Sequence, residues 1–474
     1  MHKLSWDRVT SEERIPKTRG TIASKYRSEI ESDYHRIIRS ASFRRLQDKT
    51  QVFPLDKSDF VRTRLTHSME VASIAKFIGK QVCNRIVELK LEEPDQMPDA
   101  LKVIEILNCA GLLHDIGNPP FGHFGEFAIR SWFRKNLQVL NFKNKPLEEY
   151  LDEQQKADLL YFEGNAQALR IITKLHRLTG NNGMHLTSSV MDTIIKYPVN
   201  SLQKCEEDKL DKHKRNLLYK KIGYYKSETT QFMEIKNNTD TYGCRNPLCF
   251  ILEAADDLAY TFADLEDGYK KGLYSYETLL DTIMQAGDEK GAELLRKGLA
   301  EGKGLVLSSE KGFDPYQYAV FSWLTKKQLF CISGVSEAFI ENYDSIMNGE
   351  FCKELIEKSS EGNLIKALKK FAYEKVYNDA AILKLELMGN EIVTFLLDRF
   401  IDALILYDTD EKMSEIQEKY IDLLSRNYLN SYHIHSQGLP ENEKLYLRLL
   451  LATDYISGMS DSFAKQLYQE LRGF

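Results

Sequence analysis

An imidazole and a carboxylate stand side by side at His114-Asp115, within Gly111-Leu112-Leu113-His114-Asp115-Ile116-Gly117-Asn118-Pro119-Pro120-Phe121-Gly122-His123-Phe124-Gly125-Glu126. Neighbours of this kind close on one metal ion only when further ligands arrive from elsewhere. A second histidine, His67, lies in Arg62-Thr63-Arg64-Leu65-Thr66-His67-Ser68, and a second aspartate, Asp256, in Glu253-Ala254-Ala255-Asp256-Asp257-Leu258-Ala259-Tyr260. Two imidazoles and two carboxylates without thiolate suit Mn, Mg, Fe, Co or Zn activating water against a phosphate ester, rather than a structural cysteine-bound zinc. His123 and Glu126 form a second pair, spaced so that one helical turn brings them together. A carboxylate against an imidazole orients the ring and raises its proton affinity, which suits proton transfer during ester hydrolysis.

Helices must deliver these groups. Ile30, Tyr34, Ile37, Ile38, Ala41 and Arg45 recur at three-to-four spacing, and Val71, Ile74, Ala75, Ile78, Val82 and Ile86 repeat the rhythm after His67. Leu101, Ile104, Leu107, Cys109 and Leu112-Leu113 predict a short, mostly apolar helix ending at His114-Asp115. Proline lacks the amide proton a helix needs, so Gly117-Asn118-Pro119-Pro120 stops it; Gly122 and Gly125 let backbone approach a ligand closely. Further helices are predicted over 246–265, 363–384, 390–407, 414–427 and 442–471, with 304–308 among the few strand candidates. The fold class is all-α. Two polar stretches interrupt the pattern: a lysine-rich insertion over 200–245 edging the site, and 430–444 as a surface loop.

The 474 residues are 43% apolar and 28% charged, ordinary for a folded protein, with a net charge of −6 and so no global basic field for nucleic acid. Eleven prolines and 26 glycines argue against long disordered linkers. Seven cysteines, an odd number lacking any Cys-x-x-Cys, read as free thiols in a reducing compartment. The N-terminus shows no apolar signal core and no run reaches the roughly 20 residues that span a bilayer, so a cytoplasmic protein off the membrane is expected. A soft division near 275 separates a catalytic core, 1–275, from a helical region, 276–474, that completes the pocket and makes subunit contacts.

Longer strings carry a resemblance. Phe43-Arg44-Arg45-Leu46-Gln47-Asp48-Lys49-Thr50-Gln51-Val52-Phe53-Pro54-Leu55, the segments around His67 and His114–Glu126, Phe162-Glu163-Gly164-Asn165-Ala166-Gln167-Ala168, the Asp256 segment and Ala452-Thr453-Asp454-Tyr455-Ile456-Ser457-Gly458-Met459-Ser460-Asp461 resemble the deoxyguanosine triphosphate triphosphohydrolase family of the HD-domain superfamily. The likeness is dense over about 20–270 and returns near the C-terminus.

The resemblance implies an HD-type helical core that cuts a deoxynucleoside triphosphate between the 5′ oxygen and the α-phosphorus, releasing deoxynucleoside and tripolyphosphate. It implies a divalent metal on His67, His114, Asp115 and Asp256, with His123 and Glu126 as the catalytic pair. Water attack with His123 moving a proton, and His123 as nucleophile, both stay open. By the same likeness Gln51 and Val52 contact the sugar, Arg64 a phosphate, and Lys196 and Tyr197 the triphosphate. Tyr260 packs where a ribose 2′-hydroxyl would sit and Asp264 meets the 3′-hydroxyl. The spacing agrees: Asp256, Tyr260 and Asp264 are four apart and line one helical stripe over roughly 12 Å. Asn118 and Asn165 are further pocket candidates; Arg245 and Arg448 are weaker ones. Relatives imply a homo-oligomer, tetramer or hexamer, and a nucleotide or single-stranded DNA effector. Rival readings are an HD-type nucleotide phosphomonoesterase or phosphodiesterase, and a nucleotide-sensing regulator with weak hydrolysis.

Overall fold

The computed structural model describes residues 3–16, 27–53, 55, 60–176, 183–211, 215–306, 313–378 and 380–473. Seven helices position the site: α1 (Arg64–Leu89), α2 (Ala100–Leu113), α3 (His123–Asn136), α4 (Pro247–Lys270), α5 (Ala380–Leu406), α6 (Glu441–Ser457) and α7 (Asp461–Arg472). Among the described residues the only sheet is a two-stranded antiparallel hairpin, Asn141–Phe142 with Lys145–Pro146. The fold is all-α, and among the described residues no helix is long and apolar enough to cross a membrane. All seven cysteines are free.

Local chemistry fixes where each helix begins. Thr63 caps α1 reciprocally with Thr66, one turn ahead of His67. Asp99 accepts from the amides of Leu101 and Lys102 to start α2, and Asn246 caps α4 with Pro247 in its first turn. Helix α1 packs along α2 and crosses α4, burying Val71, Ala75, Ile78 and Val82 against Leu107, Ala110, Ala255 and Leu258 in one continuous apolar core that extends to Leu467. The α1–α2 approach is close enough that a Cβ on Gly111 would lie 2.5 Å from Ala72 Cα and 2.7 Å from Ala72 N. Gly111→Ala must therefore push α2 away from α1, and with it His114 from His67. We expect a loss of about 1–3 kcal/mol, the usual range for overpacking, read by urea unfolding, together with weaker Mn²⁺ affinity in calorimetry; unchanged values in both would separate this packing from the site.

Several predicted elements differ. The 363–384 segment is helix Gly362–Ala372 followed by a π turn, Tyr373–Tyr377, and α5 then runs unbroken through 390–406. The predicted 442–471 helix is two, α6 and α7, parted where Gly458 lies under the Tyr428 hydroxyl and Ser460 caps α7. The 414–427 segment breaks after Asp422, and 430–436, read as loop, continue helix Arg426–Ser436, anchored by buried Tyr432. Residues 304–306 end helix Glu289–Val306 rather than forming a strand, while 307–308 lie outside the described residues. The 200–245 insertion folds around helices Ser201–Asp208 and Thr229–Thr239, and its Lys236 is fully buried on Asp192 at 2.6 Å; Lys212 and Lys214 lie outside the described residues.

Candidate active site

Helices α1, α2 and α4 converge on one point. His67 Nε2 lies 3.1 Å from Asp256 Oδ1, and His114 Nε2 lies 3.5 Å from the same oxygen and 3.6 Å from Asp115 Oδ1. One ligand atom each from His67, His114 and Asp115 falls within 4.8 Å of the others. His114 Nδ1 is 2.8 Å from the carbonyl of Gly111; a carbonyl only accepts, so Nδ1 carries a proton and Nε2 is the nitrogen turned toward the two carboxylates. That Nε2 is buried and has no hydrogen-bond partner. Asp115 is aimed from behind, by Arg64 Nη1 on one oxygen at 2.5 Å and Asn118 Nδ2 on the other at 2.5 Å. A buried, partnerless imidazole nitrogen beside two oriented carboxylates fits a divalent cation with nitrogen and oxygen preference.

The electrostatics agree. Burial pushes the Asp115 carboxyl up, but Arg64 and His114 outweigh it and hold it down at about 2. Burial likewise opposes ionisation of Asp256, which His114 and His67 hold well below the usual carboxylate range. Against its own burial, His114 is raised to about 9 by Asp115 and Asp256. The two carboxylates thus hold positive charge between them, and a cation bound there displaces that proton.

The second pair opens α3. Gly122, at φ +58°, turns the chain into the helix, and a Cβ there would lie 2.8 Å from Arg64 Nη2. His123 follows with its side chain 76% exposed, Nδ1 3.1 Å from Oε2 of buried Glu126. Gly164 N–H donates to Oε1 of Glu126 at 2.9 Å. Burial pushes this carboxyl up, yet the bond from His123, the charge of Lys221 and the Gly164 amide hold it at about 2. An ionised Glu126 accepts the Nδ1 proton, leaving His123 Nε2 to exchange protons outward.

Both groups face a cavity of about 800 Å³. Of the predicted site residues, Gln51, Val52, Arg64, His114, Asp115, Asn118, His123, Asn165, Lys196, Tyr197, Asp256, Tyr260 and Asp264 line it. His67 and Glu126 stand behind its wall, bonded to Asp256 and His123. Lys196 pairs with Glu253 at 3.2 Å, and Arg245 braces both, donating to Glu253 and to the Lys196 carbonyl. The Tyr260 ring has Lys369 Nζ at 5.3 Å from its centre. Asp264, pushed by burial to about 7, accepts from the Tyr377 hydroxyl. Arg448 is buried on Glu441, away from the cavity. Lys221, one of the lysines of the 200–245 insertion, also lines it, bonded to Glu163 at 2.8 Å, as do Tyr373, Tyr377, Asn378 and Glu386, ahead of and within α5, which sequence had not singled out. The lysine-rich insertion was the available signal for Lys221; the α5 end carries no motif.

The HD domain family model matches residues 64–192. Two curated proteins, the deoxyguanosinetriphosphate triphosphohydrolase-like proteins of Listeria innocua serovar 6a and Listeria monocytogenes serovar 1/2a, are each 46% identical over 479 residues, spanning 99% of this chain and 100% of their own length. The chain belongs to the deoxyguanosinetriphosphate triphosphohydrolase-like family. As a triphosphohydrolase-like protein with an HD domain it is a hydrolase, and the His–Asp cluster is a candidate centre for the metal dependence of HD hydrolases. The HD match starts at Arg64 and ends at Asp192, so it takes in His67, His114, Asp115, His123 and Glu126. Lys196, Asp256, Tyr260 and Asp264 lie beyond it, on segments that the full-length likeness to this triphosphohydrolase-like family still covers.

Proposed function

We propose that the protein hydrolyses deoxynucleoside triphosphates, dGTP foremost after the relatives' printed name, to deoxynucleoside and tripolyphosphate. The observation that carries this reading is the convergence of His67, His114, Asp115 and Asp256 at the wall of a cavity that also presents His123 and several cations. Those four side chains would hold a divalent cation, which would supply Lewis-acid stabilisation of charge on the phosphate and favour ionisation of water. Arg64, Lys196 and Lys221 offer positive charge to the about four negative charges of a triphosphate. Water oxygen attacks the α-phosphorus in line as the bond to the 5′ oxygen breaks, its surplus proton staying on the product phosphate and passing to solvent. His123 gives its Nε2 proton to the leaving 5′ oxygen and regains one from solvent, while ionised Glu126 steadies the imidazolium and fixes the ring. Residues 1–275 form the catalytic core in this reading, and 276–474 close the sugar and base end of the cavity and provide contacts between copies of the chain.

Incubation with each of the four deoxynucleotides, singly and in pairs, under manganese or magnesium tests the reading. Tripolyphosphate as product supports it; orthophosphate would move the protein to the phosphomonoesterases, and dependence on a second nucleotide would identify an effector.

Sugar selection gives a second test. Tyr260 and Asp264 sit one turn apart on α4 and both line the cavity, so a bulky ring leaves neither room nor partner for a 2′-hydroxyl. Tyr260→Ala is expected to raise turnover of ribonucleoside triphosphates relative to the deoxy forms by roughly 10–200-fold, the value of one shape-selective contact. Unchanged discrimination in competition assays would remove Tyr260 from this role.

A further inference from the structure

The segment joining the two catalytic pairs is held by a buried clamp that reaches in from the far end of the chain. Between Asp115 and His123 the chain passes through Phe121 at φ +62° and Gly122 at φ +58°, and a left-handed phenylalanine persists only where its surroundings impose it. The restraint is Asp461, the first residue of α7, 1% exposed. Its Oδ1 accepts the Phe121 amide at 2.9 Å, and its Oδ2 accepts the Thr50 amide at 3.0 Å and the Thr50 hydroxyl as well. Beside it Lys49, 3% exposed, donates from Nζ to the carbonyl of Asn118 and, at 2.7 Å, to that of Ser457 at the end of α6. The Lys49 carbonyl in turn accepts the Arg64 amide at 2.9 Å. Lys49 and Asp461 together therefore touch three parts of the site: Asn118, which bonds Asp115; Phe121, which sets the entry of His123; and Thr50, next to Gln51.

We infer that Asp461 and Lys49 are positioning residues for hydrolysis, holding the His123–Glu126 pair at its working distance from the His67–Asp256 cradle. The inference rests on the triphosphohydrolase reading for its kinetic test, but not for its structural one. Neither side chain lines the cavity, so both act through the backbone they hold. An amide in place of the carboxylate has one accepting oxygen instead of two, so it cannot hold both Phe121 and Thr50, and the start of α3 loses its fixed tie to Thr50 and drifts. A misplacement of about 1 Å in such a reaction lowers turnover by about a hundredfold. The effect falls on kcat, because Arg64, Lys196 and Tyr260 keep their places.

The experiment compares Asp461→Asn, Lys49→Met and Lys49→Arg with the full-length parent by hydrogen exchange, metal binding and kinetics. For Asp461→Asn we expect amide exchange over 118–124 to accelerate at least about tenfold while 105–113 keeps its protection, with one Mn²⁺ still bound per chain. We further expect kcat to fall about a hundredfold at a KM within about threefold of the parent. Lys49→Met should do likewise, and Lys49→Arg, which still donates to both carbonyls, should recover at least a tenth of parental kcat. Unaltered exchange over 118–124 overturns the inference, as does parental kcat per metal-loaded chain or a rise in KM alone. Should Asp461→Asn fail to fold, the Lys49 pair decides by the same criteria. A parent inactive on every deoxynucleotide would instead remove the triphosphohydrolase reading, and the exchange data would still judge the clamp.

Discussion

Asp115→Ala is expected to lose both cation binding and turnover. Its two oxygens take Arg64 and Asn118 on one side and face His114 Nε2 on the other, so the side chain joins three groups that would otherwise repel or drift. Removing it leaves the Arg64 guanidinium unpaired about where a cation must sit. Attraction becomes repulsion, and the remaining carboxylate, Asp256, cannot offset two positive charges. We expect kcat to fall about a thousandfold or more, corresponding to the several kcal/mol a cation supplies to phosphoryl chemistry, and Mn²⁺ binding to vanish in calorimetry. Asp115→Asn preserves shape and the bond to Arg64 but not the charge, and should fail nearly as badly. Turnover near the parental rate in either variant would remove the cradle from the mechanism.

His123→Ala separates binding from chemistry. The side chain is exposed to the cavity and makes its one strong bond backward, to Glu126, whereas none of the four cradle residues bonds to it. Cation affinity and folding should therefore stay within error of the parent. Turnover should fall by about 10²–10⁴, the range for losing a positioned proton-transfer group. Glu126→Gln should fall less, since the amide oxygen still accepts from Nδ1 but no longer steadies an imidazolium. If His123→Ala hydrolyses at the parental rate while metal stays bound, protons move through another group, and Lys221 or a water on Glu163 becomes the one to examine.

Which parts of this were readable beforehand follows from how local their causes are. The helices that carry the cradle, α1, α2 and α4, emerge from apolar periodicity because each buries one face in a single core, and Thr63, Asp99 and Asn246 mark their starts through short-range capping. The company of His114-Asp115 was equally open, since ligand chemistry limits what else can join such a pair. Other features have no local cause. Helix 442–471 divides at Gly458 because the Tyr428 hydroxyl, thirty residues earlier in the chain, occupies the space a side chain would need. The 430–436 stretch looks polar enough for a loop, yet buried Tyr432, bonded to Asp408, and the α6 contact keep it helical. Tyr377 and Asn378 reach the cavity only because a π turn and the start of α5 bring them across from α4. Asp461 could be seen as part of a familiar string, but its grip on Thr50 and Phe121 spans more than three hundred residues of chain and is visible only in three dimensions.

The claim beneath all of this is that His67, His114, Asp115 and Asp256 share one ion. Titrating Mn²⁺ into metal-stripped protein while following the free-ion signal by electron paramagnetic resonance reads it directly. The account predicts one tight site per chain, lost alike in His67→Ala, on α1, and Asp256→Ala, on α4, and retained in His123→Ala. No tight site in the parent, or an undiminished one after either cradle substitution, would contradict it.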